Sequence, residues 1–244
     1  MRIDRYLSLS LGISRKEAAA LIRKGAVLMD GAAVVSKDQQ VKGKVTANGV
    51  EIRYQEHVHL MLNKPAGVLT AARDRSAPTV MELIDPVFVK RGIAPVGRLD
   101  KDVTGLLIFT TDGELNHKLT SPSWGIPKVY TAKVNGVLTE GDVAAFETGL
   151  ELGEFTARPA RLEILDDSKA RLTVTEGKFH QVKRMFAAVG KPVEILRREM
   201  MGEVALDGSL AEGEWRPLLP EEVNALYKAV EGTRQGSDLR TQRG

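Results

Sequence analysis

Apolar residues at Ile3, Leu7 and Leu11 fall four apart and trace one face of a helix at the start of the chain. Ser14 is followed three residues later by Glu17, a capping-box spacing. It predicts a second helix from Ser14 to about Lys24 that buries Ala18, Leu21 and Ile22 and stops at Gly25. Val27-Leu28-Met29 and Ala32-Ala33-Val34-Val35 then flank Asp30-Gly31. That dipeptide suits a two-residue hairpin turn, since both positions tolerate positive φ. A polar run over 36–44 and a strand over 50–54 complete this stretch.

Residues 55–60 read as a short polar linker carrying His57 and His59, whose alternation places both on one face of an extended segment. A solvated linker strand explains them better than a metal site. Beyond it, apolar runs predict strands over 60–63, 106–110, 129–134, 160–164, 170–174 and 193–197, and helices over about 113–119 and 180–189. In the second of these helices Val182, Met185, Phe186 and Val189 form the core stripe. Few strands are joined by regular helical crossovers, so the expected class is α+β, built on a mixed, mainly antiparallel sheet. The expected division is a small domain over 1–56, a larger one over 57–230, and a disordered tail over 231–244 that carries only Leu239 as an aliphatic anchor.

Composition narrows the chemistry. The 244 residues include no cysteine, which excludes disulfides and thiolate metal sites, and only four histidines. Met1-Arg2-Ile3-Asp4 brings charge in at once, unlike a signal peptide, and apolar runs such as Leu106–Phe109 are far too short to span a bilayer. A soluble cytoplasmic chain, monomeric by default, is expected. Charge is unevenly spread: residues 1–54 hold ten Lys/Arg against five acids, while the whole chain is only +3. Arg15, Lys16, Arg23 and Lys24 fall largely outside the apolar stripe of their helix, and Arg2 and Arg5 precede them. A basic unit beside a nearly neutral one points to polyanion binding at one end and chemistry at the other.

The run Arg2-Ile3-Asp4-Arg5-Tyr6-Leu7, then Gly12-Ile13-Ser14-Arg15, Ala18, Leu21-Ile22, Gly25-Ala26-Val27 and Asp30-Gly31, resembles an S4 RNA-binding domain. The resemblance implies that this unit grips structured RNA through its basic helix face.

The segment densest in chemistry is Gly97-Arg98-Leu99-Asp100-Lys101-Asp102-Val103-Thr104-Gly105, leading into an apolar run and Thr111-Asp112-Gly113. A calcium loop fails there, because Thr111 stands where the bidentate acid belongs and a strand follows instead of a helix. On its residues alone it could be a polar turn whose acids serve as caps. The segment also resembles the central motif of the pseudouridine synthases, most closely the RsuA subfamily, which joins an S4 domain to such a catalytic domain. Leu62-Asn63-Lys64-Pro65-Ala66-Gly67, Lys128-Val129-Tyr130, the run from Glu176 to Gly190, and Gly213-Glu214-Trp215-Arg216-Pro217-Leu218 continue the resemblance in order.

What the resemblance implies is isomerisation of one uridine of small-subunit (16S) ribosomal RNA to pseudouridine, with Asp100 as the catalytic carboxylate. The bond from uracil N1 to ribose C1′ breaks, the base turns, and C5 takes its place. No electrons or groups are lost, so neither a nucleotide cofactor nor a metal is expected. A carboxylate can serve as covalent nucleophile or stabilise the detached sugar. Lys183 matches the cation beside it, with Arg184 as the other candidate. A lysine gives a point charge without the bidentate fork of arginine. Tyr130 matches the active-site tyrosine, a stacking face for an extruded base. Arg98 is implied in backbone contact or base displacement, and Leu196 in closing the pocket. Residues 176–198 hold six Lys/Arg against two acids, and Lys178, Arg184 and Arg198 are expected to hold RNA there. The expected partner is small-subunit rRNA or an assembling 30S ribonucleoprotein. The alternatives are a large-subunit (23S) enzyme of a sister subfamily, or a non-catalytic assembly factor, whose signature would be loss of Asp100.

Overall fold

A computed structural model describes the backbone of residues 1–241 and the side chains of residues 1–231. Its contacts divide the chain into two compact units, one of Met1–Val58 with Ile84–Ile93, the other of His59–Leu83 with Ala94–Gly244.

The first unit opens with α1 (Ile3–Leu11) and α2 (Arg15–Arg23). The capping box forms: the Glu17 N–H donates to the Ser14 hydroxyl, and the Ser14 N–H to the Glu17 carboxylate at 2.7 Å. β1 (Val27–Met29), β2 (Ala32–Ala33), β3 (Val45–Ala47) and β4 (Val50–Ile52) form an antiparallel sheet in the order β2-β1-β3-β4. Asp30 and Gly31 turn with φ of 51° and 84°. Asn48-Gly49 makes a second such turn at 51° and 78°. β3 has little local signal, because only Val45 and Ala47 mark it beside a long polar run. Ile3, Leu7, Ala18, Ile22, Val27 and Val45 close the core under the sheet. Ala19 is buried where Leu21 was expected, and Leu21 stays half-buried at its edge.

The cut expected between residues 56 and 57 lies two residues later. The first unit also reclaims α3 (Pro86–Lys90), started by Asp85, whose carboxylate accepts from the Val87 N–H at 2.8 Å. This short helix packs so closely on the end of α1 that a Cβ on Gly12 would lie within 3 Å of Val87 side-chain atoms.

The second unit carries β5 (His59–Lys64), β6 (Ala94–Pro95), β7 (Thr104–Thr110), α4 (Gly113–Thr120), β8 (Lys128–Val134) and α5 (Glu140–Thr148). It continues with β9 (Leu150–Glu151), β10 (Thr156–Ala157), β11 (Arg161–Asp166), β12 (Lys169–Val174), α6 (Gln181–Ala188), β13 (Val193–Met201), β14 (Val204–Ala205), β15 (Trp215–Pro217) and α7 (Pro220–Thr241). Its main sheet runs β11-β12-β8-β13-β7-β5-β15, with β14 on β13 and β6 on β7. Every pairing in it is antiparallel except β7 with β13, so the sheet is mixed and mainly antiparallel. β5 is buried at every position and β7 at all but Thr104, and Met61, Leu106 and Ile108 pack under α4 and the start of α7.

Two expectations are corrected. His59 is no solvated linker residue: it opens β5, is 8% exposed, and its Nδ1 lies 2.9 Å from the Thr110 hydroxyl. Alternation alone cannot separate a linker from the first residue of a buried strand. The tail expected to be disordered continues α7 through Thr241; residues 242–244 lie outside the described ones. A segment without apolar anchors can still extend a helix, and 231–241 contain no proline to stop the one begun at Pro220. Among the described residues no helix is long and apolar enough to cross a membrane, and no group of His, Asp and Glu could hold a metal.

Candidate active site

The loop between β6 and β7 carries Asp100, and the chain clamps that loop from beneath. The Thr70 hydroxyl donates to the Leu99 carbonyl at 2.8 Å and accepts from the Leu99 N–H, while the Gly67 N–H donates to the Lys101 carbonyl. Lys64, at the end of β5, is fully buried and donates from Nζ to the carbonyls of Pro65, Lys101 and Val103 at 2.9, 3.3 and 2.8 Å. Burial pushes its ammonium down to about 8, against which the carboxylates of Asp102 and Asp100 pull back. Three carbonyls bound to one cation fix the turn that aims Asp100. Arg98 and Asp100 face into one cleft, and Leu99 between them is buried along its wall.

The cleft wall opposite is α6. Lys183 reaches across from it, with Nζ 3.5 Å from Asp100 Oδ2 and 2.6 Å from Asp102 Oδ1. Its hydrogen bond holds Asp102 below the usual carboxylate range. The lysine therefore bridges two acids and sits closer to the second one, a sharing that the sequence did not disclose. Arg184, the other candidate, turns away to Glu154 at 2.9 Å and to the Leu152 carbonyl, so Lys183 is the cation at Asp100. His180 caps α6 in left-handed backbone, and its Nε2 lies 3.6 Å from Asp100 Oδ1. No pattern in the sequence marks it for a role; only the fold brings it to the carboxylate.

Tyr130 of β8 and Leu196 of β13 stand on the inner face of neighbouring strands and are 8% and 6% exposed. With Leu99, Val103, Val174 and Val182 they give the chamber beside Asp100 an apolar wall and one aromatic face. Polar and charged groups, among them Asp100, Glu176, Lys183 and His180, complete the lining; an apolar wall with an aromatic face beside a carboxylate suits a flat heterocycle attacked or displaced at its rim.

The expected RNA-binding cations divide. Arg5, Arg15, Lys16, Arg23 and Lys24 are exposed on the first unit, and Lys178 is exposed at the cleft, over the Phe155 ring at 3.9 Å. Three are placed differently. Arg2 is held by Asp4 at 2.9 Å and Asp38 at 2.5 Å, which fastens α1 to the turn after β2. Arg184 anchors α6 as above. Arg198 is 1% exposed, its Nε donating to the Leu106 carbonyl at 2.8 Å, so it lies beneath the cleft instead of on a surface. A strand position that faces inward overrides the expectation that arginine is solvated.

With this geometry in view, comparisons with known proteins become specific. Residues 58–188 match the family model of RNA pseudouridylate synthases, and residues 1–46 match the S4 domain. An uncharacterized RNA pseudouridine synthase of Bacillus subtilis is 41% identical over 93% of this chain and 98% of its own. The ribosomal small subunit pseudouridine synthase A of Yersinia pestis is 39% identical over 93% and 98%. A crystal structure of a pseudouridylate synthase superposes with a TM-score of 0.66 at 37% identity, covering 93% of this chain and 99% of the other.

Proposed function

The chain belongs to the RNA pseudouridylate synthase family, and from that premise we propose that it isomerises one uridine of small-subunit ribosomal RNA. The observation that carries the reading is Asp100 at the rim of a chamber walled by Tyr130 and Leu196, with Lys183 3.5 Å away. Small-subunit RNA is favoured over the large subunit by the relatives named for that substrate, such as the Yersinia pestis enzyme.

An isomerase of this kind needs three things from its side chains. First, the base must leave the stack and rest in a dry pocket; the Tyr130 ring and the Leu196 side chain supply its faces. Second, the reacting carboxylate needs a cation beside it where water is scarce, and the Lys183 ammonium lies 3.5 Å from Asp100. Asp100 then acts as the nucleophile while the N1–C1′ bond is broken. Third, the base turns within the pocket so that C5 faces C1′. The new C5–C1′ bond forms, Asp100 is released, C5 loses its proton to solvent and N1 gains one. Atoms and charge balance without a cofactor.

The test is tritium release from rRNA labelled at uridine C5 and taken from cells lacking this protein. Release from small-subunit RNA alone is expected. Release from large-subunit RNA would assign the protein to the sister reaction, and release from neither, with binding kept, would leave an assembly factor.

A further inference from the structure

The cleft has a second chamber behind Asp100, of about 280 Å³, and its lining is of another kind. Leu99, Val103, Val174, Val182 and Leu196 line the first and not this one; here Lys128 and Arg198 join Arg98 and Lys178, which line both, and among the described residues Asp100 is its only carboxylate. Lys128 and Arg198 form its base. Lys128 stands two residues before Tyr130 on the same face of β8, and Arg198 pairs with Tyr130 across the ladder from β13. They are 6% and 1% exposed.

Two cations are buried here with no acid to offset them: among the described residues neither makes an ion pair. Lys128 Nζ makes one hydrogen bond, to the Ile126 carbonyl at 2.9 Å. Arg198 is anchored through Nε on the Leu106 carbonyl, which leaves the guanidinium head toward the chamber, and its Nη2 is buried with no hydrogen-bond partner. Proteins rarely keep an orphan guanidinium N–H inside unless something binds it. Burial, and after it the neighbouring Arg198, push the Lys128 ammonium down to about 8, as expected for a cation lacking its anion.

We propose that Lys128 and Arg198 are a buried phosphate seat, taking a phosphodiester of the target nucleotide while its base lies against Tyr130. This deepens the uridine reading and rests on it. The fit is chemical. A phosphodiester offers two non-bridging oxygens that share one charge, and the seat offers an ammonium and a guanidinium edge held by backbone carbonyls. The two chambers share Arg98, Asp100, Tyr130, Gly177, Lys178 and His180, so one nucleotide spans them with its sugar beside Asp100. A surface cation could only raise RNA affinity in general. A seat fixed to β8 and β13 sets how far the nucleotide enters, and so which ribose carbon meets the carboxylate.

The experiment is calorimetric titration of the full chain with uridine, uridine 5′-monophosphate, uridine 3′-monophosphate and inorganic phosphate, using wild type, Lys128→Met and Arg198→Lys. Wild type is expected to bind one of the monophosphates about tenfold or more tightly than uridine, the scale of a charge-assisted contact. Lys128→Met should erase that gap and leave uridine affinity within about twofold. Arg198→Lys, which keeps the charge but removes the fork, should narrow it. The seat is refuted if uridine and both monophosphates bind wild type equally, or if the gap survives in both variants. Should Lys128→Met not fold, Lys128→Gln serves in its place, and the wild-type comparison alone can still refute the seat. Tritium release run on the same wild-type preparation separates the claims: its failure would sink the uridine reading, whereas a phosphate preference is read without turnover.

Discussion

Lys183 illustrates what one side chain is asked to do at this site. It lies between Asp100 and Asp102, and without it two carboxylates would face each other in a partly closed cleft. Like charges so placed repel each other. Lys183→Met is therefore expected to lower kcat by roughly 100-fold with little change in KM for RNA, and Lys183→Arg to restore most of it. Steady-state tritium release checks both; an effect confined to KM would instead make Lys183 an ordinary RNA contact. Lys64 works by a different means. It ties three backbone carbonyls under the catalytic loop, so Lys64→Met orphans them and is expected to cost on the order of 3 kcal/mol in urea unfolding. Its folded pKa of about 8 lies below the ordinary lysine value of 10.5. Between those values the unfolded chain holds the proton and the folded one does not, so Lys64 contributes a rise in stability as pH climbs from about 8 to 10.5. That rise should be smaller in Lys64→Met, in parallel urea titrations across this range. Lysine inside an apolar strand run was a visible signal of such a role, since Leu60 to Lys64 has no reason to end in a charge unless the charge is bound.

At the scale of elements, the decisive contact is the parallel pairing of β7 with β13 in the main sheet. Gly105 lies on it with φ of 97°, and a Cβ there would come within 2.3 Å of the Arg198 carbonyl oxygen. Gly105→Ala is expected to destabilise the domain by about 2–4 kcal/mol, through backbone strain and the forced separation of two strands. It would also displace Arg198, so phosphate preference should fall with stability; an unfolding midpoint unchanged from wild type would contradict the crossing. Elements with strong local signals were legible beforehand. The capping box at Ser14 and Glu17, the Asp30-Gly31 turn and the apolar stripe of α6 state their structure within a few residues. β3, α3 and the buried start of β5 were not, because what makes them is contact with distant chain. The same holds within the site. Asp100, Tyr130, Leu196 and Lys183 were nominated through motif resemblance, but the sharing of Lys183 with Asp102, the closeness of His180 and the burial of Arg198 depend on how β7, β8, β13 and α6 meet.

For the whole molecule, charge and chemistry are divided between the two units. The first carries exposed Arg15, Lys16, Arg23 and Lys24 on one short helix, and the second carries the carboxylate. Replacing all four cations with glutamine is expected to weaken rRNA binding and to reduce the slope of log K against log salt by about 3, from lost counterion release. At saturating RNA, kcat should hold; a loss of kcat instead would give the basic helix a part in catalysis. The central claim is that Asp100 makes and breaks the bonds at uridine. The measurement that bears on it most directly is single-turnover tritium release from C5-labelled small-subunit rRNA, comparing wild type with Asp100→Asn at matched occupancy. Release by wild type and none by the asparagine variant, with RNA binding retained, is the predicted result. Release by Asp100→Asn at a rate near wild type would contradict it.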